Sequence, residues 1–280
     1  DPDYLKPRER FTWQADLPAT KLNWEKMLLR NDIHFLSSNL THIVPQNGPV
    51  TPGINQIQIY PAKPLGTDPA MEYVFPSIAA VEISSALNTT IPFRWIPEKR
   101  KSYPGRLEEE FTSRIIDLKE TVTAYDDIFV CKLIPAGKNA VDSTIAKLQI
   151  AVNAQLDGTG GQAETHGKYI IFHTDRDIYV GLYANFAASA KDYSLQPVPL
   201  QCRITGKLRR VNYLILAFAY EINALTKKMD AVITNPEFVT ERSYQEWDYY
   251  FSAVVPHFQC SDAKLVKLYY FNNYVIKTNI

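Results

Sequence analysis

Apolar and polar residues alternate along most of the chain between about Gly53 and Tyr220. A spacing of two puts the apolar side chains on one face of a β-strand. We therefore expect strands that bury one face and leave the other face in water. The clearest run covers residues 148–156, in which the apolar positions are Leu148, Ile150, Val152, Ala154 and Leu156.

The same spacing predicts further strands. Residues 178–186 repeat it, with Tyr179 and Tyr183 on the opposite face. The apolar stretch Tyr213–Tyr220 indicates a buried strand, because it is far shorter than the ~20 residues that span a bilayer. Helical patterns are not interleaved with the strands, which favours antiparallel sheets packed face to face in a large β-sandwich. The other runs include or surround Ile57, Tyr73, Ile83, Ile116, Leu118, Val122, Ala124, Ile171 and Ile204.

The spacing changes after Glu221 and predicts two helices near the C-terminus. Ser243 and Glu246 fit a capping box, which starts the first helix. Ser261 and Asp262 fit the N-terminal cap of the second helix. Each helix carries one apolar stripe. The first stripe ends near Pro256 and contains Trp247, Tyr250, Phe251, Val254 and Val255. The second stripe contains Leu265, Leu268, Tyr269, Asn272, Val275 and Ile276.

This helical region resembles a known family. Residues 246–258 read EWDYYFSAVVPHF, and they are followed by Cys260-Ser261-Asp262 and by LVKLYY at residues 265–270. The order is similar to the linker and first barrel helix of (α/α)6-barrel glycoside hydrolases related to mannosylglycerate hydrolase, glucosidase I and glycogen-debranching enzymes. In these enzymes a β-sandwich precedes the linker, and both catalytic carboxyl groups lie on the helical barrel.

The resemblance implies a chain of four segments. They are an N-terminal extension, the β-sandwich, a helical linker and the first helix of an α/α barrel. We expect a short helix around Trp24, Met27 and Leu28 in the extension. The apolar face of the last helix has too little chain after it for cover, so we expect a partner C-terminal to Ile280. The segments are residues 1–50, 51–222, 223–260 and 261–280.

Composition excludes several function classes. The 30 basic residues balance the 30 acidic residues, so the net charge directs the chain toward neither nucleic acid nor an anionic membrane. A hydrophobic content of 46% excludes a disordered chain. Cys131, Cys202 and Cys260 are too widely spaced for a metal knuckle, and we expect buried free thiols. Two Asn-x-Thr triplets, at Asn39 and Asn88, weakly favour a eukaryotic secretory route, and the resemblance implies a secreted or periplasmic-type enzyme.

Two kinds of polar cluster have the side chains that catalysis or metal binding requires. Acidic residues cluster at 108–110 and at 126–127, but both sets lie among polar residues at predicted strand ends. We interpret them as solvated charge rather than as a glycosidase pair. Four residues within 166–177 have side chains that bind metals, but the wet face of a strand explains them as well. They are His166, His173, Asp175 and Asp177. We predict neither a metal site nor a cofactor.

Three further motifs have structural explanations. Residues 157–162, DGTGGQ, lack the Lys-Ser/Thr of a phosphate-binding loop, and a hairpin loop is favoured. Ser261-x-x-Lys264 matches the nucleophile motif of penicillin-recognising enzymes, but the companion motifs are absent and a helix cap explains the serine. The basic residues of 206–210, GKLRR, fit an exposed strand end. Trp95 is the candidate carbohydrate contact, although packing in the core or at its edge is the favoured explanation.

Two functions remain open. The first is a catalytically inert β-sandwich domain of a glycoside hydrolase that acts on α-glycosides. In that role it supports the catalytic barrel, lines its cleft and meets the carbohydrate through that barrel. The second is a self-contained carbohydrate-binding or structural β-sandwich whose C-terminal helices cover its own sheet. Continuation of the reading frame for several hundred residues after Ile280 would favour the first.

Overall fold

The computed structural model describes residues 12–13, 28–29, 36–37, 41–43, 51–54, 57–59, 73–75, 77–156, 161–174, 177–187, 193–197 and 200–278. The first ten strands are β1 (Thr12–Trp13), β2 (Leu36–Ser37), β3 (Thr41–Ile43), β4 (Gly53–Ile54), β5 (Ile57–Ile59), β6 (Tyr73–Phe75), β7 (Ser77–Ser85), β8 (Arg94–Trp95), β9 (Lys101–Tyr103) and β10 (Arg106–Thr112). The others are β11 (Asp117–Tyr125), β12 (Ile128–Ala136), β13 (Leu148–Leu156), β14 (Gly161–His166), β15 (Tyr169–Thr174), β16 (Tyr179–Ala184), β17 (Tyr193–Pro197), β18 (Leu200–Lys207), β19 (Asn212–Ala219) and β20 (Phe258–Gln259).

Four helices complete the described elements. They are α1 (Asp142–Ile145), α2 (Ile222–Thr234), α3 (Glu237–Tyr249) and α4 (Ala263–Thr278). A π-helical turn, Tyr250–Val254, continues α3, and a 3-10 turn, Pro97–Lys99, precedes β9.

The described strands pair into antiparallel sheets. The largest sheet has nine strands in the order β14-β15-β16-β19-β12-β11-β10-β8, and β9 also pairs with β10. A five-stranded sheet has the order β17-β18-β13-β7-β4. Two smaller sheets have the orders β2-β3-β5-β6 and β1-β20. The mainly-β, antiparallel architecture expected from the alternation is therefore confirmed.

The main core lies between the nine-stranded and five-stranded sheets. On β13 the predicted inward residues Leu148, Ile150, Val152 and Ala154 are buried, whereas the side chain of Leu156 lies outside the described residues. The facing sheet contributes alternate residues of its central strands. Among them are Phe111, Leu118, Val122, Phe129, Leu214 and Leu216. The period-two pattern thus located the inner faces of both sheets.

The second face of the nine-stranded sheet is not in water, which corrects our expectation for its strands. α2 and α3 cover it, and they bury Val130, Ile171 and Ile215 beneath Leu225 and Met229. The two tyrosines expected on a wet face, Tyr179 and Tyr183, are partly buried in this second core. Burial on both faces also explains why β19 is apolar at nearly every position.

The loop at residues 157–162 does not close a hairpin. β13 belongs to the five-stranded sheet, whereas β14 belongs to the nine-stranded sheet, so the chain crosses between sheets here. Residues 157–160 lie outside the described residues. The alternation marked β13 correctly but contained no information on which strands pair.

The predicted start of the first linker helix was wrong. α3 begins at Glu237, directly after Pro236, and Ser243 lies in its middle as a buried residue. Proline fits this position because the first N–H groups of a helix need no partner within the helix. The preceding helix α2 falls within the segment expected to be a helical linker, but it was not recognised as a separate helix, although Leu225, Met229 and Val232 recur at helical spacing and are buried.

The π-helical turn changes which residues of the first apolar stripe are buried. The N–H of Val255 donates to the Tyr250 carbonyl at 2.8 Å, an i to i+5 bond that widens the turn. As a result, Val255 is buried with Trp247 and Phe251, whereas Val254 is exposed. Of the expected N-terminal helix, Leu28 is helical and packs into this cluster, while Trp24 and Met27 lie outside the described residues.

Candidate functional site

α3 and α4 pack against each other through aromatic rings. The Trp247 ring stacks on Phe251, with the centroids 5.8 Å apart, and meets Tyr274 of α4 at 5.3 Å. Tyr270 is fully buried, and its ring lies 6.4 Å from that of Phe251. Such pairs add specific orientation to the burial of apolar area. We call Trp247, Phe251, Tyr270 and Tyr274 the aromatic joint.

The charged side chain of Lys277 packs against the aromatic joint. Its Nζ atom lies 5.0 Å from the Trp247 ring centroid and 4.9 Å from that of Tyr250. It also donates to Glu246 Oε1 at 2.6 Å. The Tyr250 hydroxyl donates to the Asn273 carbonyl at 3.0 Å. The glutamate expected in a capping box therefore fastens the last turn of α4 to α3.

Polar contacts fasten α3 to the nine-stranded sheet. In its first turn, Glu237 Oε1 accepts from Lys132 Nζ at 2.5 Å and from the Tyr213 hydroxyl at 2.7 Å. Burial raises the pKa of Glu237, but these two hydrogen bonds outweigh that effect and hold the pKa below its usual value. Further along, the Ser243 hydroxyl donates to the Gly105 carbonyl at 3.4 Å. The sheet thus holds α3 at its first turn and at its middle.

The N-terminus of α4 confirms one predicted cap. Asp262 Oδ1 accepts from the Lys264 backbone N–H at 2.8 Å, which satisfies one of the free donors of the first turn. Ser261 is exposed beside it.

The outer face of α4 is apolar and exposed. Most of the stripe predicted from the sequence points away from the aromatic joint: Leu265 is 47% exposed, Leu268 is 52% exposed and Ile276 is 50% exposed. Tyr269 is the exception, because it packs against Phe258 and Tyr270 on the inner side. Val275 lies on the same face and is also exposed. The helix therefore has two apolar faces, and only the inner one, with Val266 and Tyr270, packs within the described residues. Contiguous exposed apolar surface of this kind marks an interaction site.

A second candidate site is a buried carboxylate cluster in the nine-stranded sheet. Glu109 of β10 and Glu120 of β11 lie directly opposite each other, and they are 1% and 2% exposed. Glu109 Oε1 accepts from Arg100 Nε at 2.9 Å. Glu120 Oε2 accepts from the Gly53 N–H at 2.5 Å. The interpretation of residues 108–110 as solvated charge is therefore wrong for Glu109.

The two carboxyl groups have different surroundings. Burial, and secondly the charge of Glu109, raise the pKa of Glu120 well above its usual value. Burial likewise raises the pKa of the Cys131 thiol beside it, followed by the charge of Glu120. Glu109 instead forms an ion pair with Arg100. Both carboxylates are sealed in the core, where a sugar has no access.

A sequence signal for this cluster was available. Glu109 has the same strand parity as Leu107 and Phe111, and Glu120 has the same parity as Leu118 and Val122. Alternation alone therefore places both glutamates on inward faces. The neighbouring Glu108 and Glu110 have the opposite parity and form surface ion pairs, with Arg106 at 3.1 Å and Lys119 at 3.8 Å.

Trp95, the predicted carbohydrate contact, sits at the edge of this cluster. It lies on β8 and packs partly buried against the main core. The Arg100 guanidinium stacks over its ring at 4.2 Å from the centroid. One face of the ring is therefore already occupied, and sugar contact at Trp95 stays a prediction.

The second acidic pair forms a turn. Asp126 and Asp127 connect β11 to β12 with φ of 48° and 57°, which is the backbone of a type I′ hairpin. Asp127 is buried, which corrects the solvated interpretation for that residue. Lys228 of α2 approaches Asp126 Oδ1 at 3.3 Å and also donates to the Asp126 carbonyl at 2.6 Å. The pair is a docking point for α2.

The histidines do not converge. His173 stacks on Tyr179 at 4.2 Å and faces Asp177 at 3.5 Å, whereas His166 lies at the other end of the hairpin, next to Tyr169. Asp175 lies outside the described residues. Among the described residues, no group of three or more His, Cys, Asp or Glu side chains is arranged to hold a metal ion.

The remaining motifs lie where a structural role explains them. Arg210 of the basic cluster is exposed and pairs with Asp142 at 2.7 Å. Cys131 and Cys202 are buried thiols, while Cys260 is partly exposed. Asn88 is exposed in a turn, and Asn39 lies outside the described residues. None of the described helices is long and apolar enough to cross a membrane.

Comparison with known proteins identifies the fold. No protein-family model and no curated protein matches the sequence. A bacterial glucoamylase in complex with acarbose matches with a TM-score of 0.50 and 9% identity, over 78% of this chain and 38% of that chain. An inverting mannosidase of family GH92 from Bacteroides thetaiotaomicron matches with a TM-score of 0.45 and 10% identity, over 79% of this chain and 33% of that chain. A protein named as a kojibiose phosphorylase, from the human microbiome, matches with a TM-score of 0.41 and 13% identity, over 90% of this chain and 36% of that chain.

These matches span well under half the length of the proteins concerned. At 9% identity, the glucoamylase match shows a common fold. The predicted resemblance to glycoside hydrolase structures is confirmed at this level. The chain has the fold of a part of the bacterial glucoamylase.

Proposed function

We propose that this chain is the non-catalytic β-sandwich domain of a glycoside hydrolase that acts on α-glycosides. Its role is to support a helical catalytic domain and to line one wall of the substrate cleft. The carbohydrate binds to the whole enzyme, mainly through the helical domain. The observation that carries the proposal is the outer face of α4, because this apolar surface runs along the helix and is exposed.

The contacts of α4 support this role. Its inner face is fixed on α3 by the aromatic joint, and α3 is fixed on the nine-stranded sheet through Glu237 and Ser243. A helix held this firmly presents Leu265, Leu268 and Ile276 in a defined direction. Another α-helix fits such a stripe, since ridges of side chains on two helices interdigitate. The fold common to this chain and the glucoamylase agrees with this arrangement.

The buried carboxylate cluster supports the non-catalytic part of the proposal. Glycosidases need two carboxyl groups that flank a bound sugar, one of them with a raised pKa. Glu109 and Glu120 are two adjacent carboxyl groups, and the pKa of Glu120 is raised, but both are closed off from solvent. Their environment is that of a structural cluster in the core.

Dye binding tests the docking surface. The isolated chain should bind a hydrophobic dye such as ANS or self-associate, because the outer face of α4 is uncovered. Leu268→Lys should reduce both effects. Leu87→Lys is the matched control: Leu87 is 89% exposed in a turn outside this face, so this change should leave dye binding as it is.

The opposite result would favour the self-contained module. A monodisperse wild-type chain that binds no dye, with the amides of residues 261–280 protected from exchange, would show that the outer face is already covered. Equal dye binding by the Leu268 and Leu87 variants would show that the bound surface lies elsewhere.

A further inference from the structure

The turn between β9 and β10 touches α3 at very short range. Tyr103 pairs with Arg106, so the loop consists of Pro104 and Gly105 only. Gly105 has φ of 73°, and proline cannot adopt a positive φ, so the pair fits a type II turn. Two-residue hairpins favour the primed turn types, whose twist matches that of the strands. This turn therefore departs from the geometry its strands would favour.

The packing of Gly105 explains the departure. A Cβ atom at this position would overlap Ser243 Oγ and lie 2.7 Å from Trp247 Nε1. The Gly105 carbonyl accepts from the Ala124 N–H of β11 at 3.1 Å and from the Ser243 hydroxyl of α3 at 3.4 Å. One peptide group thus joins the sheet to the helix, and only glycine leaves room for the indole.

The contact continues into α4. Trp247 lies against Gly105 on one side and against Tyr274 and Lys277 of α4 on the other. A shift of the indole would therefore displace the aromatic joint. Thr240 adds one weak link from α3 to the sheet, with its hydroxyl 3.5 Å from that of Thr123.

We infer that the Pro104–Gly105 turn is the positioning element that sets α3 and α4 relative to the sandwich, with Gly105 seating Trp247. It thereby fixes the direction in which the outer face of α4 points. The inference rests on the proposed function in one respect only, namely the identity of the partner that contacts the outer face of α4. The contact itself belongs to this chain, so the test below can fail while the docking test at Leu268 succeeds.

Hydrogen exchange on the purified chain tests the inference. Gly105→Ala and Gly167→Ala each add a Cβ to a glycine of positive φ, 73° and 59°, but at Gly167 nothing lies within 4 Å. We expect the amides of α4 and the last turns of α3 to exchange about tenfold faster in Gly105→Ala, since overpacking destabilises locally. The same amides should be unchanged in Gly167→Ala. Equal rates in the two variants would overturn the inference.

A second pair of variants avoids backbone strain. Ser243→Val enlarges the side chain that faces Gly105, and Gln245→Val makes the same β-branched change on the exposed side of α3. Faster exchange in α4 for the first variant alone supports the positioning role. If both variants exchange like wild type, the inference is wrong. This pair also decides the question if Gly105→Ala unfolds the sandwich and speeds exchange in β13.

Discussion

Glu120 shows how much one residue's environment can differ from its surroundings in the sequence. Its strand alternates apolar and polar side chains, and Glu120 occupies an apolar position of that alternation. A buried carboxyl group that accepts a backbone hydrogen bond is tolerated there, because the protonated form avoids the cost of burying a charge. Neighbouring Glu109 is paired with Arg100.

The raised pKa of Glu120 predicts a loss of stability with increasing pH. The folded state holds a proton that the unfolded chain releases above about pH 4.5. Stability is therefore full below that pH and declines as the pH rises toward the raised pKa, by at most about 1.4 kcal/mol per pH unit. Glu120→Gln keeps a neutral side chain, so the free energy of unfolding should decline less between pH 5 and pH 8, as measured by urea titration.

Glu110→Gln is the control for this change, since Glu110 lies on the other face of the neighbouring strand and is partly exposed. Its pH profile should follow that of wild type. A Glu120→Gln profile parallel to wild type would mean that Glu120 is already ionised in the folded protein.

At the scale of elements, strands were predicted better than helices. Alternation is a local signal, and β11, β13 and β16 occur where it predicts them, while β19 occurs where the apolar stretch predicts it. The start of α3 was predicted wrongly because capping-box residues also occur inside helices, where they make tertiary contacts. Ser243 is such a case, because its partner Gly105 lies 138 positions earlier in the chain. The π-helical turn likewise has no period that a pattern search detects.

Trp247 is the residue on which the packing of α3 and α4 depends most. It is 5% exposed and touches Phe251, Tyr274 and Lys277. Trp247→Ala should lower the free energy of unfolding by about 3–5 kcal/mol, the usual cost of removing a buried aromatic side chain. Chemical denaturation followed by circular dichroism measures this.

Tyr249→Ala is the matched aromatic control on the same helix. Tyr249 is 66% exposed, so its removal should change stability by no more than about 0.5 kcal/mol. If the two variants have similar denaturation midpoints, the aromatic joint does not hold the helices together.

At the scale of the whole molecule, the main body of the described residues has three layers: the five-stranded sheet, the nine-stranded sheet and the helices α2 and α3. Alternation predicted the two sheets, whereas the helical cover of the second sheet was expected only for the self-contained module. The crossing from β13 to β14 was also hidden, because strand pairing depends on contacts far apart in the sequence. The outer face of α4 was the part of the candidate site that the sequence did predict, since helical spacing marks it directly.

A turnover assay of the purified chain tests whether this domain is catalytically inert. Aryl α-glucosides, aryl α-mannosides and α-linked oligosaccharides are incubated with it, and released sugar is compared with the uncatalysed rate. We expect no release above that rate, because the adjacent carboxyl pair, Glu109 and Glu120, is buried. Release that is abolished by Glu109→Gln, by Glu120→Gln or by any other single amide substitution of an Asp or Glu would contradict it.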